Sequence, residues 1–167
     1  MFPLKPLSRD AVPAALAKAE RYRLLNEPGQ AESICLDVLA ADPDNQQALV
    51  TMILALTDQF AEHPAGALQR ARDVLPSLKS DYDRAYYAGI ICERRARAQL
   101  VHGGHGAGQA AHEWLKEALA HYQQAEQLRP AGNDDAILRW NACVRLLERH
   151  PEAAPIDDAD ARLMMLE

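Results

Sequence analysis

Prolines in this chain fall between its periodic segments and almost never inside them. Pro28, Pro43, Pro64, Pro76, Pro130 and Pro151 punctuate stretches in which apolar residues recur at helical spacing. Alternation of β-branched residues, which marks a half-buried strand, is absent. These two facts predict an all-α chain of about seven helices, over roughly 10–26, 29–41, 45–61, 64–75, 81–101, 108–128 and 133–149. Ser8 and Asp10 stand where an N-cap for the first helix belongs, with Pro13 in its first turn. Asp42-Pro43-Asp44-Asn45 stops one helix and caps the next. Gly132-Asn133-Asp134-Asp135 does the same before the last, and its aspartates suit the positive end of the helix dipole. Loops this short join antiparallel neighbours, so the chain is expected to be a series of helical hairpins.

Composition narrows what such a chain does. Its 167 residues fit one domain, and 49% hydrophobic content is enough for a core without disulfide or metal staples. A net charge of −6 makes phosphate backbones unfavourable partners, so no nucleic acid is expected. The longest nearly unbroken apolar run, Ala48 to Leu56, is about half of what a bilayer span needs, so no membrane partner is expected either. Met1-Phe2-Pro3-Leu4-Lys5-Pro6 has prolines where a signal peptide needs an apolar run. Cys35, Cys92 and Cys143 are an odd count with no CxxC spacing, which predicts reduced, buried thiols and a cytoplasmic location.

Two segments repeat a pattern. Ala31 to Pro43 reads AESICLDVLAADP and Ala118 to Pro130 reads ALAHYQQAEQLRP, each with a small Ala twelve positions before a Pro. Ala118, Tyr122, Ala125 and Pro130 stand at the spacing of the second helix of a tetratricopeptide repeat, which this segment resembles. In that helix pair the small Ala permits close approach, the aromatic fills the gap and Pro ends the hairpin. Ala85, Gly89 and Cys92 match the small and packing positions of the preceding helix. Ala65 falls one period after Ala31, and Pro76 lies one residue short of where Pro43 predicts. The two Ala markers are 118 − 31 = 87 residues apart, against about 68 for two standard repeats. The surplus sits between Gly89 and Ala118, so the third hairpin should be lengthened and end in a flexible, projecting tip.

The resemblance covers about residues 12–149 and implies a right-handed solenoid of three and a half units. On this reading residues 1–151 are the repeat domain, with an insertion at about 95–112, and 152–167 form an acidic C-terminal tail. The family binds proteins or peptides in a concave groove, which implies an adaptor or assembly chaperone with no catalysis and no cofactor. Carried over by register, the groove residues are Leu16, Glu20 and Arg23, then Val50, Leu54 and Thr57, then Tyr86, Ile90, Glu93 and Arg94. The closing helix adds Ile137, Asn141 and Arg145. One subgroup grips a terminal carboxylate with Lys and Asn; Leu16 and Glu20 occupy those positions here and speak against it. A partly apolar groove suits an apolar or amphipathic segment. Exposed end helices in so short an array also fit a homodimer.

The tip suggests a different function. His102, His105 and His112, with His121 further along, offer imidazoles to zinc or nickel, which would make the chain a metal-binding or accessory subunit. The bland alternative is a solvated Gly/His tip. A phosphate loop fails, because Gln109 and Ala110 stand where G-x-x-x-x-G-K-[ST] needs Lys and a hydroxyl. G-x-G-x-x-G fails at Gln109 as well. No His stands at helical spacing from any Cys, and Asp81/Asp83 and Asp134/Asp135 read as helix caps rather than acid–base pairs.

Charge is unevenly spread. Glu93-Arg94-Arg95-Ala96-Arg97 is the densest basic stretch, echoed by Arg21, Arg23, Arg139, Arg145 and Arg149. These arginines serve either as a solvated face with pairs such as Glu93–Arg97 at i, i+4, or as a surface for an acidic peptide. Segment 152–167 carries −4 of the net −6, from Glu152, Asp157, Asp158, Asp160 and Glu167 against Arg162. Its Leu163 to Leu166 cluster is unusual for a solvated end and predicts docking on the body, a second copy or a partner.

Overall fold

The structure, a computed structural model, describes residues 2–62 and 64–151. Seven α-helices follow one another among them: α1 (Val12–Leu24), α2 (Pro28–Ala41), α3 (Gln46–Asp58), α4 (Pro64–Val74), α5 (Asp81–His102), α6 (Ala107–Leu128) and α7 (Asp135–Arg149). Short 3₁₀ turns precede α1 (Arg9–Ala11) and follow α4 (Leu75–Ser77), and no strand occurs among the described residues. The proline punctuation therefore set the element order, with α2 and α4 each opening on a proline. α5 and α6 run 22 residues each, against 11 to 14 for the first four helices, so the third hairpin is the long one. No described helix is long and apolar enough to cross a membrane.

The caps differ in part from expectation. Asn45 Oδ1 accepts from the Ala48 amide at 2.9 Å and starts α3 as the turn chemistry requires. Ser8 and Asp10 make no side-chain cap for α1. Backbone closes that end instead, the Ala11 amide donating to the Ser8 carbonyl at 3.1 Å. Before α7, Asn133 rather than either aspartate takes an orphan amide, accepting from Asp135 N at 2.9 Å, while Asp134 pairs with Arg129. Ser80, not Asp81, caps α5 by accepting from Asp83 N at 3.1 Å. At the α5–α6 tip Gly103, Gly104 and Gly106 take positive φ, a backbone that side-chain-bearing residues resist.

Each helix packs on the next in sequence, while α1 also meets α3 and α3 also meets α5. One buried cluster runs from α1 through α5, built of Ala19, Ala31, Cys35, Ile53, Leu56, Phe60 and Ile91 among others. A second joins α5, α6 and α7 through Ile90, Ala96, Leu115, Tyr122, Cys143 and Leu146. α5 feeds both, turning Ile91 to one and Ile90 to the other. Alanines at the crossings (Ala31 and Ala118 are wholly buried) let axes approach, and each buried Ile, Leu or Phe contributes about 1.5–3 kcal/mol of apolar burial. A close crossing lies at Gly89, where an added Cβ would lie 2.5–2.9 Å from three ring carbons of Tyr122.

Candidate functional site

α5 packs on α3, α4 and α6, and its charged turn meets side chains from α1, α3 and α7. The side chain of Glu93 is 1% exposed, which costs a carboxylate its hydration unless donors replace it. Three side chains supply them. Tyr122, brought up against Gly89, donates its hydroxyl to Glu93 Oε2 at 2.7 Å. Arg97, one turn along α5, places Nε 3.0 Å from Oε1, and Arg139 of α7 donates to the same oxygen at 3.4 Å. Burial, with the Glu93 charge beside it, pushes the Tyr122 phenol well above its ordinary value, so it stays a donor. Burial works against the Arg139 charge, but Glu93 together with Tyr86 and Tyr122 outweighs it and holds the guanidinium above its usual value.

A second carboxylate organises the neighbouring patch. Asp58, the last residue of α3, takes Arg23 Nε of α1 at 2.8 Å and Arg94 of α5 on its other oxygen. Arg94 also donates to Thr57 Oγ1 at 2.8 Å and to the Leu54 carbonyl at 3.3 Å, so it closes the open end of α3. Burial lowers the Arg94 pKa, and Asp58 only partly offsets it. Four guanidiniums thus share two carboxylates on one face. The surplus is exposed at Arg97, whose side chain is 46% accessible. Beside it lies a shallow groove of about 300 Å³ between the end of α3 and α5, its apolar side formed by the exposed Ala61 and Val101 over the buried Phe60 and Ala98. Val101 is 80% exposed, one turn beyond Arg97.

The groove residues expected from register divide into two sets. Leu16, Thr57, Ile90 and Glu93 are buried in the molecule's own packing and offer nothing to a partner. Leu16 packs with Val12, Val38 and Ala48, and Ile90 belongs to the α5–α7 core. Arg23, Val50, Leu54, Tyr86, Arg94 and Ile137 are half-buried, and Glu20, Asn141 and Arg145 are exposed. Glu20 accepts from Gln47 at 3.0 Å, a bond from α3 back to α1. The structure brings Arg23, Thr57 and Arg94 together and adds Asp58, Arg97 and Arg139, which the register did not place in the groove. Register placed Glu93 in the groove; the structure instead makes it the acceptor that the buried Tyr122 hydroxyl needs.

The histidines scatter. His102 Nδ1 lies 3.1 Å from the Ala98 carbonyl on its own helix, and His105 is exposed at the tip. The buried Nδ1 of His112 has no hydrogen-bond partner, with the Glu113 carboxylate at 3.6 Å. No group of three or more His, Cys, Asp or Glu side chains gathers as a metal site among the described residues. A Cys/His neighbourhood does exist on another face, where Cys92, Glu117, His121 and Arg72 line a cavity of about 270 Å³. Burial and Glu117 push the Cys92 thiol up to about 12, and it donates to Glu117 at 3.7 Å, so it is held as a thiol rather than a nucleophilic thiolate. Burial sends Cys35 to about 11 and Cys143 to about 12 in the same direction. Compared with family models, curated proteins and solved structures, the chain finds no match in any of the three.

Proposed function

We propose that this chain is a tetratricopeptide-like helical array without catalysis of its own, an adaptor or assembly chaperone whose α1–α3–α5–α7 face receives a segment of another protein. The carrying observation is the arginine surplus on that face, four guanidiniums against Asp58 and Glu93, next to an apolar wall. Guanidiniums keep unused donors in a fixed fork and favour carboxylates. The preferred segment therefore carries acidic residues beside apolar ones. Helix-by-helix packing, with α1 on α3 and α3 on α5, supports the array reading, as does the Ala31, Ala118 and Gly89 crossing pattern.

Val101 gives a clean test because it is exposed and part of no ion pair. Pull-downs from native lysate compare the natural chain with Val101→Glu and Val101→Lys, with melting temperatures as the folding control. A partner recovered by the natural chain should be lost with Val101→Glu and kept or enriched with Val101→Lys. Equal recovery by all three sinks the assignment of this face.

A further inference from the structure

The groove beside Arg97 has a candidate occupant within the same polypeptide. Residues 152–167 lie outside the described residues, and their chemistry is complementary to the groove. They carry a net −4, and Leu163, Met164, Met165 and Leu166 follow the acidic stretch Asp157 to Asp160 after Ala161 and Arg162. The groove pairs the surplus cation of Arg97, with Arg94 behind it, with the exposed apolar side chains of Ala61 and Val101.

Geometry puts the start of the segment within reach. α7 runs parallel to α5: Asn133 accepts from the Tyr82 hydroxyl at 3.3 Å and Ala136 packs with Tyr82 and Ala85. Ten residues further on, Cys143 lies in the field of Glu93. Extending that register sets Arg149 abreast of about Gln99, one turn from the groove. From there the groove lies across α5, roughly 20 Å away at ordinary helix spacings of 8–10 Å. The residues from 152 to 163 span up to about 36 Å when extended, so Leu163 reaches the apolar wall with slack.

We infer that residues 152–167 of this chain occupy the groove between α3 and α5 in the resting protein, their acidic residues on Arg97 and Arg94 and the Leu163–Leu166 cluster on the apolar wall. The inference rests on the reading of this face as the binding face, and it makes the segment a competitor that a partner must displace. A local acidic segment is always present at high effective concentration, so only partners with better contacts or higher abundance gain entry.

The test uses the full chain. Cys35, Cys92 and Cys143 are buried with raised pKa values, so an added Ala161→Cys takes a nitroxide label selectively. In ¹⁵N-labelled protein the amides of Phe60, Ala61, Ala98 and Val101 should lose most of their intensity, and reduction of the nitroxide should restore it. Val101→Glu should restore it without reduction, Val101→Lys should not, and salt above the physiological range should weaken the effect. Full intensity at all four amides overturns the inference. So does broadening that arises only when ¹⁵N chain is mixed with nitroxide-labelled ¹⁴N chain, because the occupant is then a second copy. A groove that stays unbroadened while partner recovery still follows the charge at residue 101 removes the self-docking inference and leaves the proposed function standing.

Discussion

The two halves of the molecule solve the same packing problem with different chemistry. From α1 to α4 the buried cluster is apolar, with Cys35, Ile53, Leu56 and Phe60 between alanines, and its polar links lie at the rim. From α5 to α7 the interior also holds a carboxylate, Glu93, with a Tyr hydroxyl and two guanidiniums on it. Apolar packing is forgiving about detail, whereas a buried carboxylate needs each donor at its place. The second half therefore trades tolerance for a fixed arrangement of α5, α6 and α7, and the same residues present the arginine surplus.

Glu93→Ala is the harshest way to break this contrast. It leaves the Tyr122 hydroxyl buried without an acceptor and frees Arg97 and Arg139, which are exposed enough to regain water. The expected cost is about 2–3 kcal/mol, from the orphaned phenol and the lost anchor. Both tryptophans, Trp114 and Trp140, pack in the second half, so their fluorescence reports it while far-UV circular dichroism reports every helix. In urea the fluorescence transition should move to lower denaturant ahead of the dichroism transition. Coincident transitions would mean that the halves unfold as one unit.

Gly89→Ala attacks the same network from its other side. The new methyl must displace the Tyr122 ring, and with it the hydroxyl from Glu93. Overpacking of this kind costs about 1–3 kcal/mol, and the helix gains about 1 kcal/mol from losing a glycine. A net loss of up to about 2 kcal/mol in urea unfolding is expected. In the apolar half, Ile53→Val should cost about 1 kcal/mol and shift both transitions together. A larger fluorescence shift for Ile53→Val than for Gly89→Ala would erase the distinction between the halves.

These contrasts mark what the sequence made legible. Helix order and the long third hairpin follow from proline placement and from the excess of residues between Gly89 and Ala118, both local features. Gly89 and Tyr122 were each legible as packing positions at fixed spacing, and the structure puts them in contact. The patch that Arg94 forms with Asp58, and the reach of Arg139 to Glu93, were hidden because they join residues 36 and 46 positions apart. Helical register fixes which side of its own helix a residue occupies. It does not say how much of that side the neighbouring helix covers, which is why Leu16 and Ile90 read as groove residues and lie in the core.

The smallest effect tests the contrast by sign. Gly66 lies in the first turn of α4, exposed, with nothing within 4 Å of where its Cβ would stand. The Gly-to-Ala change that harms α5 meets no neighbour there, so only the backbone entropy of the unfolded chain and the helix preference remain. Both favour Ala, and a gain of about 0.5 kcal/mol is expected, read as a higher urea midpoint with an unchanged slope. A loss at Gly66 as large as that at Gly89 would show that glycine costs here are set by backbone strain common to both helices. Opposite signs tie the cost at Gly89 to the Tyr122 ring alone.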